Sequence, residues 1–188
     1  MSATLVRAHR RDIEELLRLA LGDLSLVWRE IGTADQARDA LMDVLPGLSE
    51  VYGSAAATLG ADWYDEMREA AEVTGPYRAT PAELPDRGRT DSLARWGIGP
   101  LFGAEPDFDA AKALVAGGFQ RLVADADRNT VLMSSARDPR GNRWSRQTTG
   151  VSCEFCVMLA GRGAVYRADT ADFQAHDHCD CLATPQFG

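Results

Sequence analysis

Cys153-Glu154-Phe155-Cys156 is followed further along by His176-Asp177-His178-Cys179-Asp180-Cys181, and these two clusters hold all four cysteines and two of the three histidines of the chain. Such gathering limits how the C-terminal part can fold, because both clusters fit around one centre. The spacing suits a tetrahedral zinc site between a knuckle and a turn, since zinc prefers thiolate sulfur and imidazole nitrogen and a structural site uses four such ligands with no place for water. Six candidates compete for four places. The two-residue gap lets Cys153 and Cys156 turn onto one ion, and the gap from His176 to Cys179 does the same from the other side. We therefore assign Cys153, Cys156, His176 and Cys179, with Cys181 and His178 in reserve. Residues two apart in an extended chain face opposite ways, so Cys179 and Cys181 share an ion only across a tight turn.

Two disulfides, or four free thiols packed as small apolar residues, are the competing readings. The opening Met1-Ser2-Ala3-Thr4-Leu5-Val6-Arg7 carries no apolar stretch of a secretion signal, which leads us to expect a reducing compartment and hence zinc.

A chain of 188 residues suits one domain, or one with a small appendage. With 45% apolar and 26% charged residues it is globular rather than disordered. No run approaches the ~20 apolar residues of a membrane helix. A formal charge of -8 argues against direct nucleic-acid binding, which needs concentrated positive charge. One local exception is Arg137, Arg140, Arg143 and Arg146, every third residue, which we read as a solvated face rather than a phosphate-binding strip.

Thr4 to Ile31 carries Leu5, Ile13, Leu17, Ala20, Leu24, Val27 and Ile31 in steps of mostly three and four, an amphipathic helix ended by Gly32. Leu16, Leu21 and Trp28 widen the stripe, which suits a bundle. Thr33 reads as an N-cap with Gln36 completing a capping box, opening a second helix to about Val44. Pro46 is expected to break or kink it. A further helix is expected from Leu48 to Ala71, with Val51, Tyr52, Ala55, Leu59, Trp63 and Met67 on one side and Ala55 to Ala57 allowing close helix approach. Thr74 to Gly88, with three prolines and two glycines, reads as an arm over the surface. A short helix near Asp91 to Trp96 follows. Asp107 caps the last long helix, which runs to about Ala136 with Gly117-Gly118 marking a kink or a close contact. Beyond it, Trp144 to Thr148 and Ala164 to Tyr166 read as strands and Cys156 to Ala160 as one or two helical turns.

The sequence therefore predicts a mainly α fold: a bundle-like body of long amphipathic helices over residues 1–137, with a proline- and glycine-rich arm at 74–88, and a small α+β zinc-stapled module over 138–188. So small a module lacks core enough of its own, and metal coordination compensates.

Catalytic patterns find little support. There is no H-E-x-x-H, and no H-x-E with a later P-C-x-x-C. A Cys156 nucleophile with His176 or His178 as base leaves the other cysteines unexplained, and Ser134, Ser135 and Ser152 lack a G-x-S-x-G context. We name no catalytic residue. His9 reads as a solvated or packed residue. Asp62, Asp65 and Glu66 read as a wet helical face opposite Trp63 and Met67.

The string from Thr149-Gly150-Val151-Ser152-Cys153 through Tyr166, closing with His176 to Cys181 and Pro185, resembles the Mu-F-like minor head proteins of tailed phages, the actinobacteriophage branch above all. Ala61 to Arg68 followed by Tyr77-Arg78-Ala79 is similar to the helical part of that branch. The resemblance implies a virion component acting in head assembly or in DNA packaging and ejection, with the portal protein or major capsid protein as partner, itself as a homo-oligomer, and no membrane. It also favours His176 over His178. Members are often labelled capsid maturation protease, which leaves a Cys-His or Ser-His protease as the alternative to a structural adaptor.

Overall fold

A computed structural model describes residues 3–141, 143–148, 152–167 and 172–187. Four helices make the body: α1 (Ala3–Trp28), α2 (Ala34–Ala70), α3 (Arg87–Gly97) and α4 (Phe108–Arg137), with one 3-10 turn at Gly99–Phe102. The C-terminal part holds β1 (Arg143–Gln147), α5 (Glu154–Ala160), β2 (Tyr166–Arg167) and β3 (Leu182–Gln186). The fold is thus mainly helical with a small α+β region at the end, as the sequence predicts.

The buried stripe of α1 is Val6, His9, Ile13, Leu17, Ala20, Leu24 and Trp28, a run of three- and four-residue steps that keeps one face inward. Thr33 caps α2 by accepting the Gln36 N–H at 3.2 Å, and Gln36 Oε1 accepts the Gly32 N–H at 2.9 Å. Asp107 caps α4 in the same way through Ala110, at 2.8 Å.

Pro46 does not break α2, which runs unbroken through it and corrects the expectation of two helices. A proline at position 46 leaves the Met42 carbonyl without its helical donor. The Arg87 guanidinium, from the start of α3, donates to that carbonyl at 3.1 Å and fills the gap. The apolar stripe of α2 is also rotated from the expected one: Val51 is exposed, while Gly53, Ala56, Ala57 and Gly60 lie buried. Gly60 lets α4 close in, since a Cβ there would sit 2.8 Å from Asp127 Oδ1 and 2.9 Å from its carbonyl oxygen, while Gly53 is packed by Leu84. Gly118 on α4 is packed as closely by Leu93 of α3, so the glycine pair serves contact.

Two cores result. One lies among the four body helices, with Leu41, Leu45, Val115 and Phe119 fully buried. The other joins the body to the C-terminal part: Val6, Trp63, Tyr64, Met67 and Val131 pack with Trp144, Phe173 and three of the cysteines. The sheet order is β2-β1-β3, antiparallel throughout, with Trp144 opposite both Tyr166 and Pro185. Pro185 is tolerated because β3 is an edge strand.

Buried polar groups fasten the same end. His9 Nε2 meets Asp127 Oδ1 at 2.9 Å while its ring stacks on Trp63 at 4.1 Å, so this histidine is packed and partnered. Arg68 pairs with Asp138 at 2.8 Å and donates to the carbonyls of Val73, Thr74 and Gly75, holding the turn after α2. The segment from there to α3 lies along the body through Ala82 N–H to Thr130 Oγ1, at 3.0 Å.

Candidate metal centre

Cys153 is the N-cap of α5, and its Sγ accepts the Cys156 N–H at 3.4 Å, so one helical turn sets both thiols on the same side. The second cluster arrives on the loop before β3, where the Cys179 N–H bonds to the His176 carbonyl at 3.1 Å and closes a turn. Cys153 Sγ lies 3.1 Å from His176 Nε2, Cys156 Sγ lies 3.8 Å from the same nitrogen, and Cys156 Sγ lies 4.0 Å from Cys179 Sγ. None of the four cysteines is in a disulfide.

Two overlapping triads emerge, Cys153-Cys156-His176 and Cys156-Cys179-Cys181, in each of which the ligand atoms lie within 4.8 Å of one another. Cys156 belongs to both. A tetrahedral site with Zn–S bonds of about 2.3 Å has sulfur-to-sulfur edges of about 3.8 Å. The separations of 3.8 and 4.0 Å match that scale, and 3.1 Å needs only a small opening. The donor chemistry, thiols and an imidazole, suits zinc. His176 Nδ1 is 2.6 Å from the Asp177 carbonyl, so Nδ1 carries the proton and Nε2 keeps its lone pair toward the sulfurs.

Of the two residues held in reserve, Cys181 joins the cluster and His178 does not. His178 takes a left-handed φ of 60° and its ring lies over Gly117 of α4, where an added Cβ would come within 2.5 Å of it. Thr149, Gly150 and Val151 of the motif lie outside the described residues.

Protonation follows position. Cys153 and His176 face solvent, while Cys156, Cys179 and Cys181 are buried. The hydrogen bond from Cys181, with help from the Arg128 charge, pulls Cys179 down to about 4, and the same bond raises Cys181. Burial raises Cys156, the Cys156 backbone N–H lowers Cys153, and the Asp177 carbonyl raises His176.

Two arginines that the sequence alone does not connect with the centre flank this cluster. Arg128 on α4 is 1% exposed and donates to the carbonyls of Cys181 at 3.0 Å and Cys179 at 2.7 Å. Its signal was a pair of charges, Asp127 and Arg128, in the middle of a mainly apolar helix. Arg146 on β1 is 2% exposed, which corrects its place on a solvated arginine face; Arg137, Arg140 and Arg143 do lie exposed. A strand alternates its faces, so Arg146 turns inward beside Trp144 while Arg143 does not.

Residues 1–188, the whole chain, match the model of the VG15 protein family. The chain belongs to that family. VG15 proteins are phage proteins, which places this one among viral components. No curated protein and no solved structure matches the chain. No described helix of this VG15 protein is long and apolar enough to cross a membrane.

Proposed function

We propose that this VG15 protein is a structural adaptor of the phage head, a Mu-F-like minor capsid protein resident in the virion, whose C-terminal module is held shut by one zinc ion on Cys153, Cys156, His176 and Cys179. The observation that carries the reading is the convergence of thiols and imidazole from α5 and the β3 loop at coordination spacing, in a family of phage proteins. Four such ligands close a tetrahedral ion and leave no water to activate, which suits a staple. In this reading residues 1–137 act as the helical body and 138–188 as the module. Phe155, Val157 and Met158 on α5 are about half exposed, an apolar edge suited to contact with the portal protein, the major capsid protein or another copy of the chain during head assembly, DNA packaging or ejection. Replacing Cys153 and Cys156 with serine should abolish zinc uptake and incorporation into particles. Particles that incorporate the double variant normally and remain infectious refute the proposal.

One contact favours a second reading, a head maturation protease. Cys153 and His176 stand 3.1 Å apart at the surface, a spacing that also suits a nucleophile and its base. Co-expression with the capsid protein separates the two, since a protease generates a new N-terminus and an adaptor does not.

A further inference from the structure

Three buried arginines occupy the seam between the helices and the C-terminal part, and their counter-ions differ. Arg68 has Asp138 at 2.8 Å, and Arg128 has Asp125 at 2.7 Å. Arg146 has no carboxylate among the described residues. Its Nη1 instead lies 3.5 Å from Cys156 Sγ and 4.0 Å from Cys179 Sγ. The rest of the side chain is fixed: Nη2 donates to the Gln174 carbonyl at 2.7 Å, and the guanidinium lies over the Phe173 ring at 3.8 Å.

A cation buried away from water needs an anion, and a protein rarely strands one. Among the described residues, the candidates that Arg146 meets are the sulfurs of Cys156 and Cys179. Three thiolates and one imidazole around a divalent ion leave a net charge of minus one, buried on the side of Cys156 and Cys179. One guanidinium on those two sulfurs neutralises that charge and donates N–H bonds to the sulfur lone pairs that do not bind metal.

We propose that Arg146 is the charge-balancing residue of the zinc centre, a positioning residue outside the ligand set whose N–H groups on Cys156 and Cys179 set how tightly the ion is held. The inference rests on the zinc reading above. It also accounts for the one member of the arginine run that points inward.

The test is zinc affinity of the full-length chain, measured by competition with a chromophoric chelator, for the parent, R146K, R146M and R143M. Partners of this kind typically change metal affinity by about 10–100-fold when removed. R146M should bind zinc about 10–100-fold more weakly than the parent. R146K, which keeps charge without the planar fork, should fall between, and R143M, altered at an exposed position on the same strand, should match the parent. Cobalt in place of zinc supplies a second readout: the thiolate-to-metal charge-transfer band should shift in R146M while its tetrahedral d–d pattern persists. A parent that binds no zinc sinks the metal reading itself. A parent that binds zinc, with R146M equal to it in affinity and spectrum, overturns the role of Arg146 alone. Failure of both R146K and R146M to take up metal makes Arg146 part of the scaffold and also overturns it.

Discussion

Gly60 is where α2 and α4 come closest, and adding one methyl group there should destabilise the protein although alanine is the better helix former. The new Cβ would lie 2.8 Å from Asp127 Oδ1, 2.9 Å from its carbonyl oxygen and 3.3 Å from its Cα. Comfortable contacts between heavy atoms fall at about 3.5–4.0 Å, so either the helices part by about half an ångström or Asp127 swings away from His9. Two of the three obstructing atoms are backbone, which leaves no flexible side-chain end to give way. The intrinsic gain from glycine to alanine inside a helix is about 1 kcal/mol. Against it stand about 1–3 kcal/mol of overpacking and about 1 kcal/mol for a weakened His9–Asp127 hydrogen bond. The net is a loss of about 1–3 kcal/mol, and for a chain of this size G60A should lower Tm by about 3–10 °C. Gly47 lies in the same helix with nothing within 4 Å of an added Cβ, so G47A should gain up to about 1 kcal/mol. Thermal and urea melts followed by far-UV circular dichroism measure both. A G60A protein that melts at or above the parent refutes the packing argument.

Two further outcomes follow from contacts already described. R87M removes the donor to the Met42 carbonyl and should cost about 0.5–1 kcal/mol, small because Arg87 is largely solvent-facing; the effect should vanish in a P46A background, where residue 46 regains its N–H, and urea melts of the four proteins report the coupling. Zinc affinity should fall with acid, because metal needs the free Nε2 of His176 and the Asp177 carbonyl raises that histidine above its ordinary value. Protonated His176 thus favours the metal-free chain below the raised pKa, and this adds a further loss, beginning above pH ~6.5, the usual histidine midpoint, to the proton competition at Cys156, whose thiol burial holds above its ordinary value. Chelator competition across pH 5 to 8 reads this out, and an H176N variant should lose the step in the histidine range.

Periodicity located much of the body, because α1 buries a single stripe and the N-caps Thr33 and Asp107 mark the starts of α2 and α4. It failed at Pro46, where the compensating donor comes from Arg87, forty-one positions later, and no local window contains it. Strand β3 escaped notice for a related reason. Leu182-Ala183-Thr184-Pro185 is buried on both faces, so it shows no alternation, and its proline is permitted only by an edge position that topology decides. The cysteine and histidine spacing brought the centre into view and put His176 ahead of His178, though without the physical reason that keeps His178 away. That separation depends on the left-handed backbone at His178 and on the bare glycine of α4 beneath its ring. Arg146 was hidden in a run that reads as a solvated face, because the every-third-residue spacing does not show that the strand turns it inward.

Arg128 reaches from the middle of α4 to the main chain on either side of Asp180, gripping the peptide carbonyls of Cys179 and Cys181 rather than any sulfur. The loop that delivers half of the donors is therefore shaped by a helix of the body packed beneath it. An excised tail would keep every thiol and yet lose the clamp that sets their spacing. Loosening of the long helices would be transmitted directly to the grip on the ion, so how readily metal escapes becomes a gauge of how firmly the bundle is assembled.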